Sequence, residues 1–151
     1  MEIMDMNKVV DLCDRIAAAK GPDNKLARDF WELFGTFDKP DPDLPGWWKV
    51  NIGSSTGIAG SEDSAGCNFA WEVTDNRYGP GNVIGLIEQE FPECHLRLHR
   101  GMRALKSDEP YWLAEIYDGD MGNPVVSVVG PTATLALLHA FVKAFIIMAP
   151  H

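Results

Sequence analysis

Apolar residues recur along this chain at spacings that change twice, and the changes mark its organisation. From about Met6 to Ala19, the residues Val9, Leu12, Cys13, Ile16 and Ala17 fall three and four apart, on one face of a predicted helix. Leu26, Phe30, Leu33 and Phe34 repeat the pattern, with Trp31 broadening the stripe, and predict a second helix. Between the two lies the corner Gly21-Pro22-Asp23. Gly21 can take the left-handed conformation that ends a helix, and Pro22 cannot continue one. Asp23 offers its carboxylate to the free N–H groups of the second helix, and Gly35 can close it.

The periodicity then lapses. Thr36 to Gly46 contains three prolines and reads as a loop, followed by a short extended piece over Trp47 to Ile52. Gly53 to Ser61 is made of small residues with low helix and strand propensity. Residues 36–77 are therefore expected to be largely irregular, with one further strand over Asn68 to Thr74, where Phe69, Trp71 and Val73 alternate. Tyr78 to Asn82 reads as a turn, and Asn82 as the cap of a short helix that runs through Glu90 and stops at Pro92. Its apolar face is Val83, Leu86, Ile87 and Phe91.

After Pro92 the period becomes two. Cys94, Leu96 and Leu98 alternate with His95, Arg97 and His99, and Trp112, Ala114 and Ile116 alternate with Leu113, Glu115 and Tyr117. Pro124 to Val129 is rich in valine, so three successive strands are expected to form an antiparallel meander. Gly130-Pro131-Thr132 opens a closing helix that is apolar on most sides, as suits a helix lying across a sheet. These elements predict an α/β (α+β) protein: a single domain over residues 1–151, built as an α/β/α layered sandwich with a mainly antiparallel sheet.

Three stretches carry a family resemblance. They are the corner Ala18-Ala19-Lys20-Gly21-Pro22-Asp23 with Leu26, the helix from Asn82 to Pro92 leading into an alternating strand, and Val128-Val129-Gly130-Pro131-Thr132 running into the alanine- and leucine-rich helix. In this order the chain resembles the small phage and prophage proteins of the phage ABA sandwich domain family, over about residues 8–35 and 78–148. It departs from that pattern at Asn24, where a charged residue is expected, and at Gly85, where a bulkier one is. The resemblance implies helices, sheet and helices in layers, and a phage-encoded accessory protein in the cytoplasm of a bacterial host. It implies no catalytic residues.

Composition narrows the function classes. A chain of 151 residues with 46% apolar and 10% aromatic content can bury a full core, which excludes a disordered or fibrous protein. The formal charge of −9 argues against general nucleic-acid binding and against anionic membranes. Cys13, Cys67 and Cys94 are widely spaced and form no Cys-x-x-Cys pair, which fits reduced thiols. Met1 to Asn7 is acidic where a secretory signal is basic, and the apolar run Leu135 to Met148 is interrupted by His139 and Lys143 and is short for a bilayer.

The candidate chemistry is a cationic cluster: His95, Arg97, His99, Arg100, Arg103 and Lys106. Arginine forks bind phosphate or carboxylate, and imidazoles donate or accept beside them. The competing explanation is a solvated strand face paired with Glu115 or Asp118. Trp47 and Trp48, near Trp71, can form a stacking wall for a planar ligand or simply fill core, and Gly53 to Gly60 can offer N–H groups to phosphate or be a plain loop. His95 and His99 lie too far apart on a strand to share a metal, so neither metal nor cofactor is expected. Cys67 and Cys94 lack a histidine and acid to activate them, and paired acids such as Glu62 with Asp63 or Asp108 with Glu109 read as solvated.

The expectation is a non-enzymatic phage accessory protein that binds and sequesters a small anionic, nucleotide-like ligand, such as an immune signal of the host, as an anti-defence device. The ligand-binding residues expected are His95, Arg97, His99, Arg100, Arg103, Trp47 and Trp48, with a homodimer sharing the pocket as one arrangement. The alternatives are an acidic inhibitor of a host protein or DNA mimic, and a virion or morphogenesis component.

Overall fold

The computed structural model describes residues 5–34, 36–38, 49–52, 55–58, 73–74, 79–102, 110–119 and 122–148. Helix α1 (Met6–Ala18) begins where the Asp5 carboxylate accepts the Asn7 N–H at 3.0 Å, and it buries the expected Val9, Leu12, Cys13 and Ile16. It stops because Ala19 turns extended, at φ −68° and ψ 144°, ahead of Pro22. Gly21 does not adopt a left-handed conformation; among the described residues only Gly119 does, at φ 73°. The expected glycine stop is therefore replaced by a break two residues earlier, at Ala19.

Helix α2 (Asn24–Phe34) is capped as its sequence predicts. The Asp23 carboxylate accepts the Leu26 N–H at 3.0 Å, and the Asp23 carbonyl accepts from Ala27 at 3.0 Å. The corner is also clamped from a distance. The Asp23 N–H donates to the hydroxyl of buried Thr74 at 3.0 Å, and that hydroxyl donates back to the Asp23 carbonyl at 3.3 Å. An Arg15–Asp29 ion pair at 2.7 Å ties the two helices together.

Within the stretch expected to be irregular, β1 (Thr36–Asp38), β2 (Lys49–Ile52) and β3 (Ser55–Ile58) pair antiparallel in that order. This corrects the loop expected at Thr36 to Asp38 and, within Gly53 to Ser61, at Ser55 to Ile58, the rest of that stretch lying outside the described residues. Ile52 pairs with Ser55, so two residues join β2 to β3, and Gly-Ser is a dipeptide suited to such a hairpin. Of the strand expected over Asn68 to Thr74, residues 68–72 lie outside the described residues, and Val73 and Thr74 form a bend. Gly35 also lies outside them.

Helix α3 (Gly79–Glu90) begins three residues before the expected cap. Pro80 suits the first turn, where its missing N–H is not needed. Gly79 lies so close to Thr134 of the last helix that a β-carbon there would collide with the threonine side chain. The meander expected after Pro92 is present as β4 (Cys94–Met102), β5 (Pro110–Asp118) and β6 (Val126–Gly130), antiparallel in that order.

Helix α4 (Ala133–Met148) closes the fold. Thr132 caps it, accepting the Leu135 N–H on its hydroxyl at 3.2 Å and the Ala136 N–H on its carbonyl at 3.0 Å. One side of α4 packs on β5 and β6, and its other sides pack on α1 and α3. Phe30 and Phe34 of α2 reach the same helix through ring contacts with Phe141 at 5.8 Å and 5.4 Å, and Phe34 also meets Phe145 at 5.0 Å. The expected mixed class with an antiparallel sheet is thus what the structure shows. Its layers, among the described residues, run from the β4–β6 sheet to α4 and then to α1.

Three glycines separate close packing from mere permissiveness. A β-carbon at Gly130 would lie 2.8 Å from the Ala136 backbone nitrogen, whereas one at Gly21 meets nothing within 4 Å. Gly79→Ala and Gly130→Ala are each expected to lower stability by about 1–3 kcal/mol in urea denaturation, while Gly21→Ala stays within about 0.5 kcal/mol of the parent or slightly above it. Thr74→Val, which leaves the Asp23 N–H without its acceptor, is expected to cost about 1–3 kcal/mol in the same measurement.

Candidate functional site

Strand alternation gives the β4–β6 sheet two unlike faces. Cys94, Leu96, Leu98, Trp112, Ala114, Ile116, Val126 and Val128 point into the core under α4. The opposite face carries exposed His95, Arg97 and His99 on β4, then Leu113, Glu115 and Tyr117 on β5, then Ser127 and Val129 on β6. Across the first pair of strands His95 faces Tyr117, Arg97 faces Glu115 and His99 faces Leu113.

Glu115 is the fixed point of this face. Its side chain is only 16% exposed, its Oε2 accepts from the Tyr117 hydroxyl at 3.3 Å, and its Oε1 lies 4.0 Å from His99 Nε2. Tyr117 is itself 7% exposed, so the hydroxyl that donates to the carboxylate belongs to a buried side chain. The arrangement presents a donor fork on Arg97 beside a carboxylate that a neighbouring hydroxyl holds in place.

The candidate residues do not all gather here. Arg100 has the opposite parity and falls on the core side of the strand, where its guanidinium carbon lies 6.0 Å from the centre of the Trp112 ring. It covers the half-buried Trp112 and is separated by the sheet from Arg97. Trp47, Trp48, Arg103 and Lys106 lie outside the described residues, as do Trp71 and Cys67. Of the glycine-rich stretch, Ser55 to Ile58 is paired with β2 along its length. Sequence reasoning found the His95–Arg97–His99 face and missed two things: that Tyr117 supports Glu115, and that counting by twos excludes Arg100.

Position in the sheet gives a second account of the cations. Among the described residues β4 is paired on one side only, by β5. Charged side chains along such an edge discourage pairing with another chain. That role requires only charge and exposure, whereas ligand recognition also requires the held carboxylate.

Both described thiols, Cys13 and Cys94, are held toward their protonated form. Burial pushes Cys13 above its ordinary range, with Lys143 opposing and Asp14 reinforcing the shift. Burial raises Cys94 too, and Asp118 and Glu93 add to it. Among the described residues no group of three His, Cys, Asp or Glu side chains is placed to hold a metal ion, and no helix is long and apolar enough to cross a membrane. Compared with protein-family models, with curated proteins and with solved structures, the chain matches none.

Arg97 and Glu115 are expected to differ in what they do for folding. Arg97→Ala should leave stability within about 0.5 kcal/mol of the parent, because the side chain is exposed. Glu115→Ala takes the acceptor from the Tyr117 hydroxyl and should cost about 1–3 kcal/mol. Equal losses for the two in urea denaturation would contradict this division.

Proposed function

We propose that the chain is a phage accessory protein, acting in the cytoplasm of a bacterial host, that works by binding and sequestering a small anionic ligand of nucleotide type. The observation that carries the reading is the register of exposed Arg97 against the largely buried Glu115. A nucleotide has a phosphate to receive the Arg97 fork and base N–H groups to donate to a carboxylate, so it uses both members of the pair. His95 and His99 flank Arg97 and add polar groups on the same strand face. A protein with a net charge of −9 that keeps such a row does so against its overall charge balance.

A second reading is an acidic inhibitor of a basic host protein. The observation that favours it is the same Glu115, which sets a carboxylate opposite Arg97 and leaves the face mixed in sign. Native mass spectrometry of the protein purified from infected cells separates the two. Sequestration expects a bound small-molecule mass that heating releases and that the well-folded Arg97→Ala variant lacks. Retention of that mass by Arg97→Ala overturns the assignment of this face. A host protein bound in fixed stoichiometry, with no small molecule, moves the reading to the inhibitor.

A further inference from the structure

His139 stands apart from the rest of α4. It is half-buried in a helix whose other buried residues, Thr134 apart, are apolar, and its Nδ1 is buried with no hydrogen-bond partner. The charged groups that act on the ring are Lys143, one turn further along α4, and Asp14 on α1, and the Cys13 thiol of α1 lies under the influence of the same two. The other elements packed on α4 are α3, the sheet and, through Phe30 and Phe34, α2.

Burial holds the imidazole below its ordinary pKa, Lys143 lowers it further, and Asp14 offsets part of the effect. In the neutral ring Nδ1 keeps a bare lone pair. Protonation would leave a buried N–H without an acceptor and a positive charge one helical turn from Lys143. Above the ordinary imidazole pKa of about 6.5 the ring is neutral whether α1 is seated or not, and the contact has its full stability. Below that value an opened chain takes up a proton that the closed one resists, so falling pH favours opening.

We propose that the α1–α4 seam is an acid-sensitive latch, in which protonation of His139 unseats α1 while α2 stays in place. The two helices are held by different means. α1 is seated by Val9, Leu12, Cys13 and Ile16, and its Asp14 is the α1 group whose charge acts on the imidazole. α2 is held to α4 by the rings of Phe30 and Phe34 against Phe141 and Phe145. The part-exposed Arg15–Asp29 pair is a weak tether between them, with side chains 39% and 27% exposed. This inference is independent of what the sheet face binds.

Cys13 reports the opening, because unseating α1 uncovers its thiol. The experiment labels the intact protein with 4,4′-dithiodipyridine and reads Cys13 by peptide mass spectrometry. Each rate is divided by that of the denatured chain at the same pH, so that thiolate chemistry cancels. Between about pH 7.5 and about pH 5.5, on either side of the imidazole range, the ratio is expected to rise severalfold. Over the same range the α2 amides from Phe30 to Phe34 should keep their hydrogen-exchange protection. In His139→Phe, or in His139→Gln if the first variant folds poorly, the ratio should stay flat. A flat ratio in the parent, a rise that persists in the variant, or a parallel loss of α2 protection each overturns the latch.

Discussion

The packing of the β4–β6 sheet against α1 and α3 rests on the burial of α4. Leu135, Ala136, Leu137, Leu138, Ala140, Phe141, Val142 and Ala144 are all buried, so the helix is apolar almost all the way round. A helix of that kind has no stable solution in water unless it is covered on several sides. The β4–β6 sheet covers one, α1 and α3 cover others, and the phenylalanines of α2 complete the enclosure. Each large side chain so buried contributes about 1.5–3 kcal/mol, which makes this one helix the main source of cohesion among the parts. Small residues let it be approached closely: Gly79 rests on Thr134, and Gly130 rests on the backbone at Ala136.

The N-terminal corner solves a different problem, that of fixing the angle at which two amphipathic helices meet the core. Asp23 does so twice over. Its side chain and carbonyl satisfy the opening N–H groups of α2, and its own backbone is held from both sides by the Thr74 hydroxyl. That hydroxyl is buried, so its bonds form out of competition with water and restrict the corner more than an exposed pair would. The cap is local and the clamp is distant, and the two act on one residue.

What was legible in the sequence followed from periodicity. The faces of α1, α2 and α4 and the alternation of β4 to β6 are repeated signals, and repetition survives local noise. The failures came where one contact outweighed local preference. Gly-Pro-Gly resembles a turn, yet the fit of Gly79 against Thr134 accompanies a helix that starts there. Gly21 suggested a left-handed stop, yet an extended Ala19 had already ended the helix. The β2–β3 hairpin was hidden by small residues that blur a period of two, although Gly53-Ser54 was a usable sign. For the candidate site, alternation alone placed His95, Arg97 and His99 together. Treating the run of cations as one cluster added Arg100, which the pleat sends to the other face. The clamp from Thr74 had no sequence signal, since it joins residues 51 apart that share no motif.

The contact between α1 and α4 also sets an order of events. These helices are neighbours in space but lie near opposite ends of the described chain, with every other described element between them. Contacts of such long sequence separation are entropically expensive to close and form late. On a ribosome, α1 and α2 emerge before α4, residues 133–148, and until then their apolar faces have only each other to pack against among these three helices. A translational pause before α4 would therefore leave an aromatic hairpin unmated and open to chaperones or to aggregation, so the cell meets this protein's stickiest surface before it meets the finished fold.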